Sequence, residues 1–296
     1  MSQVKFAIID AFTKQPFRGN PAATILVDEF PNEQWMQHVA AELNLSETSF
    51  AKTLPEQGVN HFQLRWFTPT REVPLCGHAT LAMAYYLYQQ QAVNLDAPVT
   101  FHTLSGKLIV SYQINSQDNQ PTSDVEITMD FPSIELRNFF DVNGKYAIKY
   151  QTILEQIFTS QGIKEYTILG MADEYLLVLL PTTQNVAEFM PDLSLISQLP
   201  GFGFVITAIA DQGGDHDFVS RFFAPKAGIN EDPVTGSAHC SLAPYWCNRL
   251  GKNILKAKQI SARSGYITVT NQGTRVLLTG AAVMVMRGKT LVNFDD

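Results

Sequence analysis

The chain has 296 residues, 45% of them hydrophobic and 17% charged, which describes an ordinary folded protein and excludes a disordered or fibrous one. Its net charge is −7 and no cluster of Lys or Arg stands out, so nothing offers a footprint for a phosphate backbone and no nucleic-acid partner is expected. The length exceeds a comfortable single core and calls for two domains of roughly 100–150 residues each.

The first ten residues, MSQVKFAIID, alternate like a strand and lack both the apolar run and the cleavage site of a signal peptide. No stretch approaches the ~20 apolar residues of a membrane span, so no membrane partner is expected. Asn32 is placed to cap a helix running to Leu43, in which Trp35, Met36, Val39, Ala40 and Leu43 recur at helical spacing. Strands are expected near Ser49–Lys52 and ending at Trp66–Phe67. A loop bounded by Pro69 and Pro74 then leads to a helix from Gly77 through Leu87. The polar stretch Gln117–Ser123 reads as a loop. Further on, a helix is expected near Leu193–Leu199, strands within Phe204–Ala210 and Phe218–Phe223, and a helix from Gly236 that Pro244 should kink or deprive of a hydrogen bond. The three cysteines, Cys76, Cys240 and Cys247, cannot all pair and show no CxxC spacing, which fits a reducing cytoplasm.

The second set of elements repeats the first. Arg65-Trp66-Phe67-Thr68-Pro69 recurs as Arg221-Phe222-Phe223-Ala224-Pro225, and Pro74-Leu75-Cys76-Gly77-His78-Ala79 as Pro233-Val234-Thr235-Gly236-Ser237-Ala238. Ser105-Gly106-Lys107-Leu108-Ile109-Val110 likewise matches Ser264-Gly265-Tyr266-Ile267-Thr268-Val269, at nearly the same offset. Order, spacing and composition agree, so the chain reads as a duplication. One long apolar helix per copy among strands implies an α+β architecture of two pseudo-symmetric lobes, each a curved mixed sheet wrapped around a central helix. Such copies would enclose a cleft.

Each repeated glycine opens a helix, where free backbone N–H groups and the positive end of the helix dipole suit a carboxylate. Gly77 and Gly236 also suit tight turns. Residues that break the symmetry are candidates for directional chemistry. Glu47 aligns with Gly203 and His78 with Ser237, while Asp232 lies where the second loop is longer. An acid, an imidazole and a second carboxylate near apolar walls can share a proton transfer. Each also has a structural alternative: Glu47 in a helix-end loop, His78 as a helix-start hydrogen-bond partner, Asp232 as a cap. Cys76 at a helix start is a possible base opposite Glu47, although its partner position holds Thr235. Cys240 and Cys247 read as packing residues. Asp215-His216-Asp217 reads as a solvated turn rather than a metal site. Gly201-Phe202-Gly203 is no dinucleotide fingerprint, so neither a cofactor nor a metal is called for.

Asp10-Ala11-Phe12 with Phe17-Arg18-Gly19-Asn20-Pro21-Ala22-Ala23, Ser46-Glu47-Thr48-Ser49-Phe50, Cys76-Gly77-His78-Ala79-Thr80 and Glu231-Asp232-Pro233-Val234-Thr235-Gly236-Ser237-Ala238-His239 together resemble the PhzF family of phenazine-biosynthesis isomerase-like proteins. The resemblance covers nearly the whole chain. It implies the diaminopimelate epimerase fold, with lobes at 1–128 plus a C-terminal strand at about 285–296, and at 129–284. It further implies a homodimer and a cofactor-independent isomerase acting on a small carboxylate-bearing metabolite. In that reading Glu47 shuttles the proton, His78 and Asp232 assist, and Asn20, Ser46, Cys76, Gly77, Gly236 and Ser237 line the site. A two-base racemase using Cys76 and a non-catalytic metabolite-binding protein remain the alternatives.

Overall fold

The computed structural model describes residues 4–114 and 125–291. The expected Gln117–Ser123 loop, the first three residues of the amino-terminal strand and the last five of the carboxy-terminal one lie outside the described residues. Backbone contacts divide the described chain into two units, one within Met1–Phe131 and Leu277–Asp296, the other within Pro132–Val276.

The first unit begins with β1 (Lys5–Ala11) and β2 (Asn20–Val27), followed by helix α1 (Glu33–Leu43) and strand β3 (Glu47–Thr53). β4 (His61–Phe67), the short β5 (Glu72–Val73) and helix α2 (Gly77–Gln89) come next, then β6 (Val99–Thr103), β7 (Gly106–Ile114) and β8 (Val125–Pro132). The Asn32 side chain accepts from Trp35 N at 2.7 Å, satisfying an N–H that the helix itself cannot, and Trp35, Met36 and Ala40 pack on Phe50 and Phe67. Helix α2 is buried from His78 to Leu87, as a helix apolar on every side must be, and packs on β1, β2 and β3.

The second unit contains α3 (Phe139–Asn143), α4 (Ala147–Thr159), β9 (Thr167–Ala172), β10 (Tyr175–Leu179), α5 (Thr183–Ala187) and α6 (Leu193–Ile196). Strands β11 (Gly203–Ile209), β12 (Phe218–Ala224) and β13 (Ile229–Asp232) lead into helix α7 (Gly236–Leu250) and strands β14 (Ile254–Gln259) and β15 (Gly265–Asn271). β16 (Arg275–Gly280) carries the chain across the division, and β17 (Ala282–Lys289) pairs with β1 in the first unit.

The duplication is visible in the pairing. In the first unit β1–β2 is antiparallel, β2–β3 parallel, β3–β4 antiparallel, β4–β6 parallel and β6–β7 antiparallel. The second unit repeats that series with β9–β10, β10–β11, β11–β12, β12–β14 and β14–β15. The α+β fold of two pseudo-symmetric units, each a mixed sheet with a central buried helix, is therefore present. An ion pair repeats with it: Arg65 grips Glu72 at 2.7 and 2.6 Å, and Arg221 grips Glu231 at 2.7 and 2.9 Å. Each bidentate pair ties a central strand to the short strand leading into the buried helix.

Three local results differ from or refine the sequence reading. The helix expected at Leu193–Leu199 stops at Ile196, because the Ser197 and Gln198 side chains bond the Ser194 carbonyl and compete with the helical backbone. Pro244 does sit inside α7 and cannot donate to the Cys240 carbonyl; Ile134 N takes that acceptor at 3.1 Å, so the helix continues to Leu250. Helices α3 and α4 were not foreseen; Asn138 caps the first of them by accepting from Phe140 N and Asp141 N.

Candidate active site

The first unit brings four of the candidate residues together. Ser46 and Glu47 lie where β3 begins, Cys76 is the N-cap of α2, and His78 is its second residue. His78 stands between the others. Its Nε2 is 3.2 Å from Ser46 Oγ and 3.2 Å from Glu47 Oε2, while its Nδ1 is 3.4 Å from Cys76 Sγ. The approach to Glu47 is close without hydrogen-bond alignment, since Oε2 is buried and accepts no bond. Burial pushes the Glu47 carboxyl above its ordinary value of 4.5, against smaller opposing hydrogen bonds from Ser46 and Cys76. A carboxyl held this way keeps its proton to higher pH than an exposed one, which suits a group that both gives and takes protons.

The start of α2 is pinned by Thr80 Oγ1, which donates to the Cys76 carbonyl at 2.6 Å. The first N–H groups of the helix, Gly77 among them, have no partner within the helix and lie beside the acid–imidazole–thiol cluster in sequence. Asn20 is fully buried at the start of β2. The parallel register that sets Ala22 against Glu47 places it at the same end of the sheet.

Asp232, Gly236 and Ser237 belong to the second unit. Asp232 ends β13, is buried, and accepts a short hydrogen bond from the hydroxyl of Thr235, the N-cap of α7. Gln259 closes this network: Thr235 N donates to its Oε1 at 2.9 Å, and its Nε2 donates to the Asp232 carbonyl at 2.7 Å and to Thr235 Oγ1 at 3.2 Å. Asp232 thus bonds the capping hydroxyl. His239 occupies the repeat position of Thr80, and its Nδ1 bonds the Thr235 carbonyl at 2.7 Å. Complete burial pushes its imidazole down to about 4 and keeps it neutral.

The symmetry is broken by an exchange of large and small residues. In β10–β11 Tyr175 is paired with Gly203, the positions that Ala22 and Glu47 hold in β2–β3. A Cβ on Gly203 would lie 2.6 Å from Tyr175 Cδ1 and 2.7 Å from Phe222 Cζ, so the rings fill what a side chain there would need. Tyr175 Oη bonds Ser237 Oγ at 2.9 Å, the residue that replaces His78. Where one unit sets an acid beside an imidazole, the other sets a phenol beside a hydroxyl. Burial raises the Tyr175 phenol above its usual value.

Tyr175, Gln259 and Thr80 were missed from sequence. Tyr175 was detectable only through the strand register that aligns it with Ala22. Cys240 and Cys247 are buried in α7, and burial pushes the Cys240 thiol up to about 12, as suits packing residues. In the Asp215–Asp217 turn, Asp215 bonds His216 at 2.8 Å while Asp217 is taken by Lys252 Nζ and Lys256 N, which makes the turn an internally bonded loop.

A family model described as phenazine biosynthesis-like protein, PhzC-PhzF, matches residues 9–288. A protein of Halalkalibacterium halodurans called an uncharacterized isomerase is 38% identical over 285 residues, covering 96% of this chain and 97% of that one. A crystal structure of a PhzF-family phenazine biosynthesis protein from Enterococcus faecalis superposes with a TM-score of 0.80 at 34% identity, covering 98% of this chain and 100% of the other. The fold alone is shared with a probable proline racemase from Agrobacterium radiobacter, at a TM-score of 0.63 and 7% identity over 98% of this chain and 93% of that one.

Proposed function

This chain belongs to the PhzC-PhzF phenazine biosynthesis-like family and is an isomerase, and we propose that it moves a proton between carbon positions of a small carboxylate-bearing metabolite with Glu47 as the proton carrier. The observation that carries this reading is the Glu47 carboxyl itself: its pKa raised, its Oε2 buried and 3.2 Å from His78 Nε2 at the mouth of β3. As carboxylate it removes a proton from a carbon acid. As carboxylic acid it returns that proton elsewhere. His78 lies against the carboxyl, its Nε2 3.2 Å from Glu47 Oε2. The N–H groups opening α2 offer a site for the substrate carboxylate, which would favour a carbanion-stabilising pose. No cofactor takes part in these steps.

The test is incubation of the protein with a panel of small cyclic amino and hydroxy carboxylic acids in D2O, read by NMR. Deuterium should enter a carbon position of at least one of them, and Glu47→Gln should slow that exchange by about 10²- to 10⁴-fold. Exchange that survives the substitution overturns the role. A second reading, epimerisation with Cys76 as the other base, is favoured by the 3.4 Å Sγ–Nδ1 approach. It predicts inverted product by chiral chromatography and loss of inversion in Cys76→Ser.

A further inference from the structure

We propose that Glu47, Cys76 and His78 form a binding site for one thiophilic divalent cation such as Zn2+, and that occupancy of this site switches the proton transfer off. The inhibitory part rests on the reading of Glu47 as the proton carrier; the binding part does not.

The donor set is a thiol, an imidazole and a carboxylate, whose ligating atoms all lie within 4.8 Å of one another. Among the described residues it is the one group of three such side chains so arranged. Tetrahedral zinc, with bonds of about 2.0–2.3 Å, sets its ligand atoms about 3.4–3.6 Å apart. Cys76 Sγ and His78 Nδ1 are already 3.4 Å apart, at that spacing, and Glu47 Oε2, which lies 3.2 Å from the other ring nitrogen, stays within the 4.8 Å limit of the cluster. With Nδ1 on the metal, Nε2 keeps Ser46 Oγ at 3.2 Å to hold the ring, as metal-bound histidines require. Glu47 Oε2 is buried and accepts no hydrogen bond, so a lone pair is available in the cluster.

Charge and rigidity favour the same ligand. A thiolate and a carboxylate together neutralise a divalent cation, so the filled site carries no net charge into a buried place. Cys76 and His78 are two residues apart at the pinned start of α2, and Glu47 begins a strand held between two others. The sulfur donor selects zinc or cadmium over magnesium. Binding displaces the protons of the thiol and of the carboxylic acid, so affinity rises with pH. It also occupies the lone pairs with which Glu47 would take a proton from carbon.

The experiment titrates Zn2+ into the reduced protein against a chromophoric chelator. One equivalent should bind with a dissociation constant of about 1 μM or below, tightening as pH rises. Cys76→Ser and His78→Asn should each weaken binding by about 10-fold or more. Mg2+ in excess should not compete. Cd2+ should give a thiolate-to-metal charge-transfer band that is absent in Cys76→Ser. The double variant Cys240→Ser, Cys247→Ser should bind zinc like the parent, which assigns the thiol even if a Cys76 variant folds poorly. No saturable binding below about 1 mM, or binding and a cadmium band unchanged by Cys76→Ser, overturns the site. Deuterium exchange measured with chelator and then with one equivalent of Zn2+ separates the two readings. Exchange present in both refutes the switch and leaves the proton-transfer role standing. Zinc bound at Cys76 with no exchange under either condition refutes the role and leaves the metal site.

Discussion

Glu231→Gln should destabilise the protein far more than its counterpart Glu72→Gln, although the two carboxylates hold equivalent places in the repeat. Arg221 donates to Glu231 through Nε and Nη2 at 2.7 and 2.9 Å, and through Nη1 to the Phe189 carbonyl at 2.6 Å and the Val186 carbonyl at 3.2 Å. The Arg221 side chain is only 10% exposed and that of Glu231 21%. An amide would leave the guanidinium without a counter-charge and turn one N–H towards another. Removing one partner of a buried pair costs about 3–5 kcal/mol; partial access of water to Glu231 and the retained carbonyl bonds place the cost at about 2–3 kcal/mol. Arg65 is twice as exposed, at 20%, and keeps Glu33 at 3.1 Å, so Glu72→Gln should cost about 1 kcal/mol or less. Urea denaturation followed by tryptophan fluorescence measures both. A cost below about 0.5 kcal/mol for Glu231→Gln, or equal costs at the two sites, would refute the reasoning from burial and bonding.

Gly203→Ala places a methyl group against the Tyr175 and Phe222 rings, which pack edge to face at 5.1 Å, and should destabilise by about 1–3 kcal/mol in the same assay. A neutral outcome would mean that Tyr175 does not occupy that space. Glu47→Gln should alter the pH dependence of stability. The folded protein holds the Glu47 proton above 4.5 while the unfolded chain releases it there, so the parent loses stability as pH rises from that point through the folded-state pKa. The loss is about 1.4 kcal/mol for each unit by which the pKa is raised. The variant lacks this slope, and its stability relative to the parent should increase over that window. A difference that is flat with pH, or falls, contradicts a raised pKa.

The duplication was legible because it is written in short segments around turns and helix starts: Pro69 and Pro225, Gly77 and Gly236, Gly106 and Gly265 recur in order and at nearly constant spacing. The helix from Glu33 to Leu43 was legible because Asn32 and the apolar spacing of Trp35, Met36 and Ala40 agree. Glu47 and His78 stood out as breaks in the repeat, and the fold sets them in contact. The 132–192 stretch was opaque, since its counterpart contains no helices like α3 and α4 and the comparison had nothing to align. The Tyr175–Gly203 exchange was hidden for another reason. It is a relation between residues 28 apart that face each other only through a parallel register. Gln259 likewise reaches Thr235 and Asp232 from a strand that follows the helix, a contact that local pattern does not encode.

The central claim is that Glu47 is a carboxyl whose surroundings raise its pKa and that exchanges protons with carbon. Protein labelled with 13C at the glutamate carboxyl groups, titrated by NMR with Glu47→Gln to assign the resonance, measures this without any substrate. The account predicts one glutamate resonance, absent from the variant, that titrates above 4.5. A Glu47 resonance with its midpoint at or below 4.5 would contradict it.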